Sequence, residues 1–183
     1  KMKKKKIAIF CGSKTGNKNI YKEEVKEAIK LLNDNNFTFI YGGGSIGLMG
    51  VVFDAIKSYN GKITGIIPKI LNKKHIRQKD TKTLHVVSSM STRKNQIIKK
   101  SDIIVIFPGG YGTLDEFFEI LTMNQLKVVN KPIIILNTKK YWDPLKKVLL
   151  NAYKEGFIVE KDFRYINWAN DPIDLLHKIK KII

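Results

Sequence analysis

The chain has 183 residues, 43% of them hydrophobic, enough to build a sizeable core within one domain spanning 1–183. Cys11 is the only cysteine, which excludes an internal disulfide, and no apolar run approaches the ~18 residues of a membrane span; a cytoplasmic location without membrane association is expected. The formal net charge of +18 comes from 34 Lys and Arg against 16 Asp and Glu, yet the arginines are only Arg77, Arg93 and Arg164. A dedicated nucleic-acid binder would more often use arginine forks and stacking aromatics. The lysines are spread along the chain, so no specific nucleic-acid partner is expected, and KMKKKK and KIKKII read as solvated termini. Where lysine is the default cation, an arginine marks a position that wants a planar, bidentate donor, which draws attention to Arg93.

Strand-like and helix-like segments alternate along the chain. IAIFC (7–11) precedes a helical stretch over about 20–34, with Ile20, Val25, Ala28, Ile29 and Leu32 at helical spacing. FTFIY (37–41) leads through GGGSIGLMG into a helix ending near Tyr59. KITGII (62–67) stops at Pro68, and a polar, lysine-rich loop runs to about Thr83. LHVV (84–87) precedes a helix near 91–100, and DIIVIF (102–107) precedes another near 114–127. PIIIL (132–136) precedes a helix near 143–155, stopped by Gly156, and a last short helix follows Asn170-Asp171-Pro172. The strands are continuous apolar runs, as expected when both faces are covered. The fold class is therefore α/β: a Rossmann-like, doubly wound, mostly parallel sheet with helices on both faces.

In such a sheet ligands bind at the carboxyl ends of the strands, near the switch point. CGSKTG (11–16), YGGGSIGLMG (41–50) and PGGYGT (108–113) all fall there. Glycine turns let backbone N–H groups approach an anion closely, so a nucleotide or sugar phosphate fits. No nicotinamide fingerprint is complete, because GGGSIG lacks an acidic ribose ligand at the end of the next strand. There is no P-loop lysine either. Ser13, Gly42, Gly43 and Gly44 read as shaping the pocket floor, Met49 as core, and Cys11 as a small buried apolar residue. His75, His85 and His177 have no metal-ligand spacing, so no metal and no cofactor is expected. Thr113-Leu-Asp-Glu116 has the form of a capping box, with Thr113 at the N-cap and Glu116 reaching back to its amide.

YGGGSIGLMG, the MSTRK of 90–94 and PGGYGTLDE together resemble the Lonely Guy (LOG) family of cytokinin-activating phosphoribohydrolases, often mislabelled as lysine decarboxylases. The resemblance runs from CGS at 11–13 to the GF of 156–157. It implies a Rossmann-like homodimer that hydrolyses the N-glycosidic bond of purine nucleoside 5′-monophosphates, AMP or cytokinin-type, releasing base and ribose 5-phosphate. By motif, Arg93 and Glu116 would be the catalytic pair. Lys94, Gly109, Gly110, Tyr111, Gly112, Thr113, Leu114, Asp115 and Thr122 would contact the nucleotide. Two departures stand out. Where many relatives carry an acidic residue in a stretch like PREIT, this chain has LNKKHIRQKD with His75, and the usual PGGxGTLEE is PGGYGTLDE, changed at Asp115. Phe117, Phe118, Leu121 and Met123 give more apolar surface than one helix face can bury, which agrees with a dimer. A protein that carries or senses a nucleotide without cleaving it is the alternative. The glycine turns suit both, and the discriminating feature is the Arg93–Glu116 pair, since a carrier needs no carboxylate at C1′.

Overall fold

The computed structural model of the chain describes residues 4–183. The lysine-rich start lies partly outside them, and Lys4 and Lys5 are exposed. The strands are β1 (Lys6–Phe10), β2 (Thr38–Tyr41), β3 (Ile63–Pro68), β4 (Leu84–Val87), β5 (Ile103–Ile106), β6 (Ile133–Leu136) and β7 (Ile166–Ala169). The helices are α1 (Ile20–Asp34), α2 (Gly47–Ser58), α3 (Met90–Lys100), α4 (Tyr111–Gln125), α5 (Asp143–Lys154) and α6 (Pro172–Ile182). One seven-stranded sheet runs in the order β4-β3-β2-β1-β5-β6-β7, and each neighbouring pair is parallel.

The isoleucine-rich runs explain both the strands and the layers. Every residue of β5 and β6 is buried, as a strand sandwiched between helices demands. Side chains alternate between faces with the period of two that a strand imposes. Ile7, Ile9, Ile103, Val105 and Phe107 pack with α1, α2 and α6 on one side. Ala8, Phe10, Ile104 and Ile106 pack with α3, α4 and α5 on the other. Two cores thus sandwich one sheet, which is the doubly wound arrangement expected.

Three details depart from the sequence reading. The strand β7, INWA, was not anticipated. It is a short edge strand in which only Ala169 is fully buried, so its pattern is neither a continuous apolar run nor a clean alternation. The sheet is parallel throughout the described residues, not only mostly so. The surplus apolar surface on α4 is also smaller than expected: Phe117 is buried, Leu121 and Met123 pack partly buried against the core, and only Phe118 of the four is exposed. Among the described residues, no helix is long and apolar enough to cross a membrane.

The chain winds outward from β1 through β2 and β3 to β4, then returns to lay β5 against the other side of β1. Crossovers on the two sides of β1 therefore run to opposite faces, and a crevice opens at the carboxyl ends of β1 and β5. A register of Ile7 beside Ile103 and Phe10 beside Ile106 brings Cys11 and Gly12 next to Phe107 and Pro108. Gly12 N–H donates to the Pro108 carbonyl at 3.0 Å and closes that junction.

Ile104, fully buried in the centre of β5, tests this core. Ile104→Ala is expected to lower the unfolding free energy by about 2–5 kcal/mol, through lost transfer energy and a residual cavity, measured by urea titration.

Candidate active site

The site is assembled from four segments. After β1 come Cys11, Gly12 and Ser13, and after β2 come the glycines of 42–44 and Gly47. The helix α3 supplies Arg93, and the turn after β5 runs straight into α4. Backbone contacts lock these together. Leu48 N–H donates to the Gly12 carbonyl at 3.0 Å, and a Cβ on Gly47 would collide with the Ser13 backbone. Gly47 also sits at φ +61, in the left-handed region that favours glycine. The sequence reading missed Gly47, although a glycine opening a helix after a glycine run is itself a signal.

The capping-box expectation for Thr113 and Glu116 does not hold. The helix α4 begins at Tyr111 with Gly110 at the N-cap, and no side chain caps it. Thr113 is the third helical residue, and Asp115 and Glu116 lie beyond the first turn. The first helical hydrogen bond runs from Leu114 N–H to the Gly110 carbonyl, at 3.0 Å. The amides of Tyr111, Gly112 and Thr113 thus have no partner within the helix, as at any helix start. The glycine turn is the first turn of the helix. Free amides and the positive end of the helix dipole coincide there, which suits an anion.

One turn further on, Glu116 points inward. Its carboxylate Oε1 accepts a 2.8 Å hydrogen bond from Arg93 Nη1, and both side chains are under one tenth exposed. Arg93 Nε in turn donates to the Ile66 carbonyl at 3.2 Å, which fixes the guanidinium from the sheet side. Nη2 lies against Gly42, where any Cβ would collide with it. That explains one of the predicted floor glycines physically: Gly42 makes room for the arginine. Gly43 sits at φ +72 and its carbonyl receives the amide of buried Gln78, while Gly44 forms a β-bridge with Arg77. The floor is thereby roofed by the 72–80 loop, but His75 in that loop is exposed and lines none of the cavity.

A cavity of about 140 Å³ opens onto Glu116, lined by Cys11, Gly12, Ser13, Met49, Met90, Arg93, Gly110 to Thr113, Asp115 and Glu116. Met49 is partly core and partly cavity wall, and Met90, the first residue of the MSTRK motif, lines the cavity beside it. Thr113 Oγ1 is buried without a hydrogen-bond partner. A larger cavity of about 460 Å³ adjoins it across the glycine turn, with Lys14, Thr15, Tyr21, Leu48, Pro108 and Tyr141 among its walls. The two share Gly12, Ser13, Gly110, Tyr111 and Gly112. The turn therefore has open space on both sides.

Electrostatics single out the pair. Burial pushes the Glu116 carboxyl up to about 7, and the neighbouring Arg93 guanidinium only partly offsets it. The Cys11 thiol is pushed well above its ordinary value, first by burial and then by Glu116, so it stays protonated and unreactive. Lys94 does not line either cavity. It is held between Asp115 at 2.9 Å and Glu119 at 2.6 Å, clasping α3 to α4. Leu114 packs against the core, and Thr122 bonds the Phe118 carbonyl one turn back and lines a separate groove beside α4. Among the described residues, no group of His, Cys, Asp and Glu is arranged to hold a metal ion.

Gly42→Ala is expected to lower the unfolding free energy by about 3 kcal/mol, because it displaces a buried guanidinium from its carboxylate. Gly112→Ala, whose added methyl meets nothing within 4 Å, is expected to be neutral or slightly stabilising by about 0.5–1 kcal/mol. Urea titration of the two variants side by side checks this.

Comparison with known proteins agrees with the motifs. A family model described as "Possible lysine decarboxylase" matches residues 49–179. The chain is 36% identical over 177 residues to the probable cytokinin riboside 5′-monophosphate phosphoribohydrolase LOGL2 of Oryza sativa subsp. japonica, covering 97% of this chain and 72% of that protein. It is 38% identical over 181 residues to the Arabidopsis thaliana enzyme LOG3, covering 99% and 84%. Among solved structures, the molybdenum cofactor binding protein from Rippkaea orientalis superposes with a TM-score of 0.74 at 22% identity, covering 100% of this chain and 99% of that one. The molybdenum cofactor carrier protein from Chlamydomonas reinhardtii gives 0.72 at 19%, covering 98% of each. These structural likenesses concern the fold. The sequence relatives, matched over nearly the whole length, place the chain in the LOG family of phosphoribohydrolases.

Proposed function

We propose that the protein hydrolyses the N-glycosidic bond of purine nucleoside 5′-monophosphates, AMP or a cytokinin-type nucleotide, releasing the free base and ribose 5-phosphate. The observation that carries this reading is the buried Arg93–Glu116 pair facing a cavity whose rim is the glycine turn. Relatives matched over nearly the whole of this chain are named for this reaction on cytokinin riboside 5′-monophosphates.

The chemistry follows from charge. The 5′-phosphate binds the amides of Gly110, Tyr111, Gly112 and Thr113, with the Thr113 hydroxyl available as a further donor. The sugar then extends toward Glu116. Departure of the base takes the C1′–N electron pair with it and leaves positive charge on C1′ and the ring oxygen. The ionised Glu116 carboxylate stabilises that charge and accepts a proton from the water that forms the new C1′–O bond; the departing base takes a proton from solvent at nitrogen, and Glu116 returns its own to solvent. Arg93 does not face the sugar in this scheme. It holds Oε1, leaving the other carboxylate oxygen, which has no hydrogen bond among the described residues, for the reaction. A carboxyl poised near 7 suits proton exchange at neutral pH.

The same fold occurs in solved proteins titled as molybdenum cofactor carriers, so the fold does not separate hydrolysis from carriage. The pair does. A carrier gains nothing from a buried carboxylate beside the ligand's scissile bond, and that carboxylate is costly to keep ionised.

AMP is expected to turn over far faster than adenosine, because the phosphate's binding energy is used in the transition state. Chromatographic detection of free adenine tests this, and equal rates on the two compounds would defeat the reading. For Glu116→Gln the expected result is a folded protein that still binds AMP but has lost on the order of 10²-fold or more in turnover. The pH dependence has a definite sign. Burial raises the folded-state pKa to about 7, so kcat/KM of the parent should rise with pH up to about 7 and level off above it. Turnover by Glu116→Gln within a few-fold of the parent would remove Glu116 from the chemistry.

A further inference from the structure

We propose that Tyr141 is a positioning residue that fixes the orientation of the Gly109–Gly110 peptide, and thereby keeps the glycine turn able to receive a phosphate. The proposal rests on the functional reading above. It assigns a role to a residue 32 positions away from the turn and outside every sequence motif.

The contact itself is specific. The Tyr141 hydroxyl donates to the Gly109 carbonyl at 2.6 Å. In a planar trans peptide the N–H of the next residue points opposite to that carbonyl. With the oxygen held by Tyr141, the Gly110 amide is turned the other way. Among the described residues, no other hydrogen bond holds the Gly109 carbonyl. Gly109 packs closely against Thr113 and the Gly12 amide, whereas a side chain on Gly110 would meet nothing within 4 Å. With no Cβ on either side, a glycine–glycine peptide resists rotation less than any other. Rotation would replace an amide hydrogen with a carbonyl oxygen, and the same turn would then repel the anion it is shaped to hold.

The segment that carries Tyr141 is built firmly. It leaves β6 through buried Asn137 and Thr138. Asn137 Nδ2 donates to Asp143 at 2.7 Å, and its Oδ1 accepts the Trp142 amide at 2.7 Å. The Thr138 hydroxyl reaches Glu24 on α1. Between them, Lys139 and Lys140 adopt φ of +50 and +60, two consecutive non-glycine residues in the left-handed region. Such residues persist only where their surroundings dictate them. The Tyr141 ring is held edge-on by Tyr21, with centroids 5.8 Å apart, and by Trp142 at 4.7 Å. Burial raises the phenol above its ordinary pKa, so the group remains a donor throughout the neutral range.

The test is Tyr141→Phe in the full chain, which keeps the ring and its aromatic contacts and deletes only the hydroxyl. Thermal unfolding, calorimetric binding of AMP and of adenosine, and turnover of both are measured against the parent. The expected result is a melting temperature within a few degrees of the parent and a loss of about tenfold in AMP affinity and in kcat/KM for AMP. Adenosine binding and turnover should be unchanged, so the advantage conferred by the phosphate shrinks. A merely structural hydroxyl would lower both substrates together, and that outcome overturns the proposal. Unchanged AMP binding by Tyr141→Phe overturns it as well. If the parent binds AMP but hydrolyses nothing, the functional reading fails while the binding comparison still decides the role of Tyr141. A parent that binds no AMP defeats both.

Discussion

A guanidinium and a carboxylate, 2.8 Å apart and almost out of water, are the constraint to which the rest of this molecule answers. Neither charge is tolerable alone at such depth, since removing one partner of a buried pair typically costs about 3–5 kcal/mol. Each neighbouring feature serves to keep them matched. Gly42 is a glycine because the guanidinium occupies the space of a side chain there. The Ile66 carbonyl takes a second donor of the same group. Lys94, one residue along α3, clamps Asp115 and Glu119 of α4 and so keeps the two helices from drifting apart. The helix α4 begins at its Gly110 N-cap without a side-chain cap, and its first inward carboxylate, Glu116, is already engaged by Arg93.

Much of this was readable from the sequence. Of the six apolar runs, those of β1, β2, β3, β5 and β6 named strands buried on both faces, while LHVV named β4, an edge strand with His85 and Val86 exposed. The three glycine segments named the binding edge, since parallel strands put their carboxyl ends together. What could not be read were the consequences of distance. The edge strand β7, half solvated, carries Asn167 and Trp168 in place of a pattern. The capping-box reading of Thr113 failed because local sequence rules weigh only neighbours. The glycines at 109 and 110 started the helix earlier than a threonine cap would have. Tyr141 and Gln78 reach the site from far along the chain, and nothing in their own neighbourhoods marks them.

The excess of positive charge takes on a particular meaning around this site. With +18 overall, carboxylates are scarce, and several of them are committed to α4 or its contacts. Asp115 and Glu119 neutralise Lys94, and Glu116 neutralises Arg93. The inner lining is thereby close to balanced, although the molecule as a whole is strongly basic. A general positive potential of this kind would draw anions toward the surface.

The pairing of β1 with β5 also sets when the site comes into being. Ile7 meets Ile103 across a sequence interval that contains three strands and three helices. Contacts of that range close late, because the loop entropy of everything between them must be overcome first. Gly42 and Cys11 belong to the part of the chain made before the crossover returns, and Glu116 to the part made after it. Until the two halves dock, Arg93 has no carboxylate and the glycine turn has no floor. The candidate site is thus a property of the finished sheet alone, and a chain arrested halfway along its folding route holds its residues without bringing them together.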